Sequence, residues 1–569
     1  MRRPLVRRPL VRAAERRSAR VSTRLATTIV LALTAPALLP GPAEAGPART
    51  AVTDQRTTVT DQRTTATGQR TTATEQWTTQ TLAPGVTVRT GVLQHPGVEH
   101  AWTVTVQAPA DSRWTTNDPD APLTWAEVAT RAWADDTARA LTRAGLIPRV
   151  ESVQWPAYAD TPHGLMGYRV RVGRFATQQE ARTTASAVTA AGFHPTLSWT
   201  GYDIQEPADQ ENVHVAVIDP KTFDGRVEAT HDGNVAQRET TSAVARKLNS
   251  LVGVNGGFFV LSPGDGVPGT MSGIGAYQGE LESMAVGSRS ALLIEDGGHS
   301  IRIADLTSTV TARAGKAAYG VQGINRVPGT VRDCGRPGST PSELPWQDVT
   351  CRLADDMVRF TDAFRTDLPT GPGVQVVLNA SGRVVSVGAR GGRVPEGGCV
   401  LQGIGRAADW LTAHAEPYGR IKLSEAVRTT EGRRVVLDAG DSLVSAAPTL
   451  VEDGRIDIDA AAEGVVDPEY TSFGYAWANV RQPRTLAGID RRGRLILATV
   501  DGRLKNGSEG FTLQEAAVFM KSLGAVQAMN LDGGGSTAMA VNGTLVNHPS
   551  DAAGERAVGD TVQVLPTDH

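Results

Sequence analysis

The chain has 569 residues, with 57 Lys and Arg against 60 Asp and Glu, and is long enough to bury at least two hydrophobic cores. Nine of the arginines but only two acids, Glu15 and Glu44, lie in the first 45 residues, which leaves 48 basic against 58 acidic side chains beyond them. An acidic body with no basic block argues against nucleic acid as a partner, because that binding rests on clustered Lys and Arg neutralising phosphates.

Residues 1–45 read as a signal peptide. Arginines from Arg2 to Arg24 form a basic n-region, residues 25–39 are apolar but for threonines and Pro36, and Ala43-Glu44-Ala45 has the small-x-small form of a cleavage site. The apolar run is shorter than the ~20 residues of a membrane span, and no later segment reaches that length. The expected location is therefore secreted, extracellular or cell-wall associated. Residues 46–80 carry four copies of one heptad, TDQRTTV, TDQRTTA, TGQRTTA and TEQWTTQ, at 53–59, 60–66, 67–73 and 74–80. They lack the a/d apolar pattern of a coiled coil. Nearly without hydrophobes, they cannot bury a core, so a disordered threonine-rich linker is expected.

Residues 98–203 run twice through a strand–helix–strand cycle. An alternating strand at 102–107 precedes Thr124-Trp-Ala-Glu127, read as a capping box opening a helix that ends at Ala144-Gly145. The second cycle has a strand at 168–172, the capping box Thr177-Gln-Gln-Glu180, a helix ending at Ala191-Gly192 and a strand at 196–200. Ala181, Ala185 and Val188 make one apolar stripe, so two helices should lie on one face of a small βαββαβ sheet. The segment YRVRVGRFATQQEARTTASAVTAAGFHP (168–195), with its weaker copy before it, resembles a SPOR domain. That resemblance implies a ferredoxin-like module whose partner is the glycan strand of peptidoglycan.

Residues 204–569 hold many short strands, among them 213–218, 374–378 and 494–500, with helical periodicity near 236–248, 403–415 and 512–523. The fold class expected for the whole is α+β, a large strand-rich domain with flanking helices plus the small module. Cys334 and Cys351 flank a Gly/Pro-rich loop and are expected to pair in an oxidising compartment, worth ~3 kcal/mol. Cys399 is left over.

The strongest chemical signal is AMNLDGGGSTAM at 528–539. Asn530 and Asp532 end a strand, and Gly533, Gly534 and Gly535 let main-chain N–H groups converge on an anion, with Ser536 and Thr537 adding hydroxyls. No Lys follows as in a nucleotide P-loop. In GVNGGFF (253–259), Asn255 before Gly256 and Gly257 is a candidate ligand for a sugar hydroxyl or phosphate. RTLAGI (484–489) and TVDGR (499–503) supply Arg484 and Arg503 as phosphate donors, and Asp501 as a second carboxylate. Each fragment alone reads equally as a turn.

Together GVNGGFF, APTLVEDG (447–454), PRTLAGI, ATVDGR, FTLQEAA and NLDGGGSTAM resemble the phosphodiester glycosidase family. The resemblance implies an enzyme that cleaves the C1–O bond of a sugar-1-phosphodiester, here on cell-wall or extracellular glycopolymers. It also makes 82–89 the opening strand of the catalytic domain, so that 81–97 and 204–569 form one domain interrupted by 98–203. A phosphomonoester is a weakly basic leaving group, so phosphate cradling should outweigh strong general-acid help. Cradling falls to Gly533, Gly534, Gly535, Ser536, Arg484 and Arg503. Asp532 is the expected carboxylate at C1, with Asp501 as its partner, while Glu515 belongs to a capping box, Thr512-Leu-Gln-Glu515, at a position where the family also carries an acid. No cofactor is demanded; Asp532, Asp501 and a substrate phosphate leave room for a divalent cation, although no ligand spacing requires one. The competing reading is a non-catalytic cell-wall glycan-binding protein.

Overall fold

The computed structural model describes residues 74–110, 125–503 and 507–567. The signal peptide, the first three heptad copies and Thr124 lie outside the described residues. The rest is strand-rich with few helices, the α+β class expected.

An eight-stranded antiparallel sheet runs Thr74–Ala83, Val86–Gln94, Gln210–Ile218, Leu495–Val500, Arg484–Asp490, Ala525–Asn530, Thr449–Glu452, Arg455–Ile456. Its central strands Arg484–Asp490 and Leu495–Val500 are buried at every position. That double burial explains why they read as continuous apolar runs rather than as alternating ones. Helix Leu513–Ser522 packs against Ala525–Asn530 and Thr449–Glu452. A five-stranded sheet lies in the same core, with Val252–Asn255 paired to both Met539–Val541 and Thr561–Leu565. A second apolar core is built from Arg289–Glu295, Ser300–Ala314 and Cys399–Ile404 with helix Arg406–His414.

The fourth heptad copy departs from the expected linker. Residues 74–80 belong to strand Thr74–Ala83, which pairs with Val86–Gln94. This copy alone has Trp in place of Arg, and Trp77 supplies the apolar anchor the others lack. Its ring sits opposite Gly91 and stacks with the Arg89 guanidinium at 4.3 Å.

Val86–Gln94 pairs antiparallel with Gln210–Ile218, in register from Val86↔Ile218 to Gln94↔Gln210. Between these neighbours the chain makes a separate antiparallel sheet, ordered His194–Trp199, Trp102–Pro109, Leu165–Phe175, Pro148–Gln154. Helices Arg131–Arg143 and Gln178–Ala190 cover one face, burying Ala134, Leu141, Ala181 and Val188 against Val104, Val106, Val170 and Val172. The Thr177/Glu180 capping box forms with both of its reciprocal bonds. The first helix, however, starts at Arg131, capped by Thr130. Trp125–Ala126 is instead a strand on Ala108 and Pro109, with Trp125 stacked on His194 at 4.1 Å, and Glu127 accepts a bond from Gln107. Cross-strand pairing there wins over a local cap.

Candidate active site

Strands Val252–Asn255 and Ala525–Asn530 end side by side, and Asn255 ties their exits together. Its Nδ2 donates to the Asp532 carbonyl at 2.7 Å, while its Oδ1 accepts from Thr485 Oγ1 at 2.6 Å and from Ala538 N at 3.0 Å. Asp532 N donates to Gly256 O at 3.1 Å, and Gly257 N donates to Asp560 Oδ1 at 3.0 Å. A side chain on Gly256 would collide with the Asp560 carboxylate. Asn255, Gly256 and Gly257 therefore act as scaffold rather than as substrate ligands, because buried polar groups are consumed by one another. Asn530 does the same, donating to Ala447 O and Leu531 O at 2.7 Å each.

The glycine loop is a short 3-10 turn at Gly534–Ser536, and its amides are turned inward. Gly534 N donates to Pro483 O at 2.9 Å, Ser536 N to Gly533 O at 3.1 Å and Thr537 N to Gly534 O at 3.3 Å. These three N–H groups are taken by carbonyls, and Gly533 N bonds the Asp532 carboxylate. Thr537 is buried and off the cleft wall. The glycines instead clear space: a side chain at Gly535 would run into the Arg556 guanidinium and its Asp551 partner, and a Cβ on Gly534 would lie 3.2 Å from Arg503 Nη2.

Above this loop lies a cleft of about 280 Å³ whose walls include Asp532–Ser536, Arg503, Arg556, Arg332, Asp333, Asp348, Trp477, Gln482 and Phe258. Asp532 faces it, and burial pushes its pKa up to about 7; bonds from Ser536 and Gly533 N and the charge of Arg556 pull the other way. Asp348 opens into the cleft, with 58% of its side chain accessible. Its pKa is also raised, first by the surrounding protein and then by Asp333. Arg332 Nη2 at 3.1 Å and Trp477 Nε1 at 2.9 Å donate to the two Asp348 oxygens. Asp333, Asp348 and Arg503 all have left-handed backbone, at φ 53°, 63° and 61°, a strain of ~1–2 kcal/mol per non-glycine residue. Arg556 forks onto Asp551 at 2.8 and 3.0 Å and reaches Ser536 Oγ at 3.4 Å. Arg503 is held by Gln482 at 2.8 Å. Phe258 meets Trp477 edge to face at 5.8 Å.

Three further expected site residues also lie off the cleft wall. Arg484 is fully buried, donating from Nε to Phe511 O at 3.0 Å and from Nη2 to Trp477 O at 2.8 Å, and burial pushes its pKa down to about 10. It supports the cleft from behind. Asp501 is also fully buried, accepting from His548 N at 2.9 Å with His548 Nδ1 at 3.3 Å, and it is off the cleft wall. Glu515 caps its helix at Thr512 and accepts both Nε and Nη2 of Arg481.

Sequence reasoning missed Asp348, Asp333, Arg332, Gln347, Trp477 and Arg556. Four of these sit between or beside Cys334 and Cys351, which are bonded with their Cα atoms 5.9 Å apart. The cysteine bracket around a polar loop was the signal available for them. Cys399 is half-buried and free. Among the described residues no group of three or more His, Cys, Asp or Glu is arranged to hold a metal, and no helix is long and apolar enough to cross a membrane.

Residues 372–565 match the family model for phosphodiester glycosidase. The Bos taurus N-acetylglucosamine-1-phosphodiester alpha-N-acetylglucosaminidase is 41% identical over 111 residues, 19% of this chain and 20% of that protein. The Homo sapiens protein of the same name is 36% identical over 110 residues, 19% and 21% respectively. The chain thus spans about a fifth of the length of the curated relatives it matches. A crystal structure from Burkholderia pseudomallei K96243, of a protein named as a candidate for export, superposes with a TM-score of 0.75 at 32% identity, covering 89% of this chain and 100% of that one. The chain therefore belongs to one family with the Burkholderia pseudomallei protein, and its residues 372–565 are similar to the phosphodiester glycosidase family.

Proposed function

We propose that this protein hydrolyses the C1–O bond of a sugar-1-phosphodiester in the Asp532 cleft. The observation that carries the reading is the meeting, in one cleft, of two carboxylates of raised pKa with three guanidinium groups and an aromatic wall. The phosphate sits over Gly533–Gly535 between Arg503 and Arg556, which offer it their charge and the N–H groups that Gln482 and Asp551 leave unused. The sugar lies along Phe258 and Trp477. Asp532, titrating near neutrality, takes the proton from the attacking water, which is the pKa a general base needs at neutral pH. Asp348, open to the cleft and held by Arg332 and Trp477, lies where its carboxylate offsets positive charge developing at C1. The phosphomonoester departs without a strong acid.

Secretion and a substrate in wall or extracellular glycopolymers remain part of this proposal. Peptidoglycan binding by the 98–203 unit would use its helical side. The opposite sheet face, with Thr103, Thr105, Arg169 and Arg171, is buried.

Incubation with UDP-N-acetylglucosamine or a nitrophenyl phosphoglycoside tests the reading. Free sugar plus a phosphomonoester is expected. Binding without turnover would make the protein a glycan binder, and a sugar phosphate product would mean that the P–O bond is cut instead.

A further inference from the structure

The sheet face that the two helices leave open is not free. Arg169 and Arg171 project from it, 3% and 5% exposed. Arg169 pairs with Glu151 and Asp203, Arg171 Nη2 reaches Asp203 Oδ2 at 3.1 Å, and Arg169 Nη1 donates to Tyr475 Oη at 3.1 Å. Tyr475 opens the one-turn helix Tyr475–Ala478. Its ring packs with Val128, Val153 and Met166 of the same unit.

Further contacts hold the same turn from the same side. Tyr158 Oη donates to Ala478 O at 2.8 Å, Ile204 N to Asn479 O at 3.0 Å and Arg481 N to Tyr202 O at 2.7 Å, and Arg481 Nη1 donates to Gly201 O at 2.8 Å and to Asp203 O at 2.9 Å. On its other side the turn carries Trp477 and, just beyond, Gln482 into the cleft, where they hold Asp348 and Arg503. The segment is thus one turn thick, with the 98–203 unit behind it and the reacting groups in front.

We propose that the 98–203 unit is a positioning element for the cleft, acting through Arg169 and Tyr475 on Trp477 and Gln482. These are positioning residues: they touch neither substrate nor reacting atoms. The kinetic part of this inference rests on the hydrolase reading; its structural part does not. Buried polar contacts of this kind have one arrangement or none, and a shift of about 1 Å in a wall residue costs about a hundredfold in rate.

The test compares Tyr475→Phe and Arg169→Met with the wild type and with Arg139→Ala, on the exposed helical side of the unit. Two readouts are taken on the full chain: hydrogen exchange of backbone amides, and steady-state kinetics on a nitrophenyl phosphoglycoside. Expected are faster exchange at 474–482 with unchanged protection in 289–306, a drop in kcat/KM of about ten- to a hundredfold, partial rescue by Arg169→Lys, and no change for Arg139→Ala. Unchanged exchange at 474–482 in both variants would overturn the proposal, as would loss of protection everywhere at once, because the unit would then serve only global stability. Wild-type chain that turns over no phosphodiester would sink the hydrolase reading alone, and the exchange data would still decide this one.

Discussion

Asp532 and Asp348 share one cleft but meet different neighbours, and the difference assigns their roles. Asp532 is lifted to about 7 by burial, whereas Asp348, raised as well, is open to the cleft and has Arg332 and Trp477 donating to its oxygens. If Asp532 is the base, kcat/KM rises with pH and levels off above about 7. Asp532→Asn then lowers turnover by about 10²–10⁴-fold and removes that pH limb, while Asp348→Asn lowers turnover and leaves the limb in place. The arginines separate in the same way. Arg503→Gln and Arg556→Gln weaken substrate binding, each worth ~1.5–3 kcal/mol for a charged hydrogen bond, read as a rise in KM. Arg484→Met lowers the melting temperature and, through Trp477, kcat, because its guanidinium meets protein carbonyls and not the cleft.

Among the elements, the disulfide-bracketed loop matters most. Cys334 and Cys351 close the segment that brings Asp348 and Gln347 to the cleft, and Arg332 and Asp333 immediately precede it. Reduction, or Cys334→Ser with Cys351→Ser, removes ~3 kcal/mol of loop constraint. Activity is expected to fall well below the level that the lost stability explains, checked by comparing kcat with the far-ultraviolet dichroism of the same sample. Much at this scale was legible in the sequence. The strand ends at Asn255, Val500 and Asn530, the Thr512/Glu515 and Thr177/Glu180 caps and the cysteine pair follow from local rules of periodicity, capping and spacing. Which polar group faces outward was not. Asn255, Arg484 and Asp501 look like ligands at strand ends, but each is buried against a distant segment, at Thr485 and Asp532, at Phe511 and Trp477, and at His548 respectively, and only long-range packing decides that. Asp348 and Arg556 lay on loops with no periodic pattern to single them out.

Across the whole molecule, burial raises several carboxyl groups: Glu282, Glu463 and Asp532 to about 7 and Asp560 to about 6. Between the ordinary carboxylate value and those values the folded chain holds protons that the unfolded chain has released. Stability is therefore full at low pH within this window and is lost as pH climbs through it, at ~1.4 kcal/mol per group for each tenfold change in proton affinity. The melting temperature should be higher at pH 5 than at pH 8. Asp532→Asn should flatten that slope and raise stability at pH 8.

The central claim, water attacking C1 of a sugar-1-phosphodiester in the Asp532 cleft, is most directly tested by hydrolysis in ¹⁸O-labelled water with mass analysis of both products. The account predicts label in the free sugar and none in the phosphomonoester. Label in the phosphate, or equal turnover by Asp532→Asn, would contradict it.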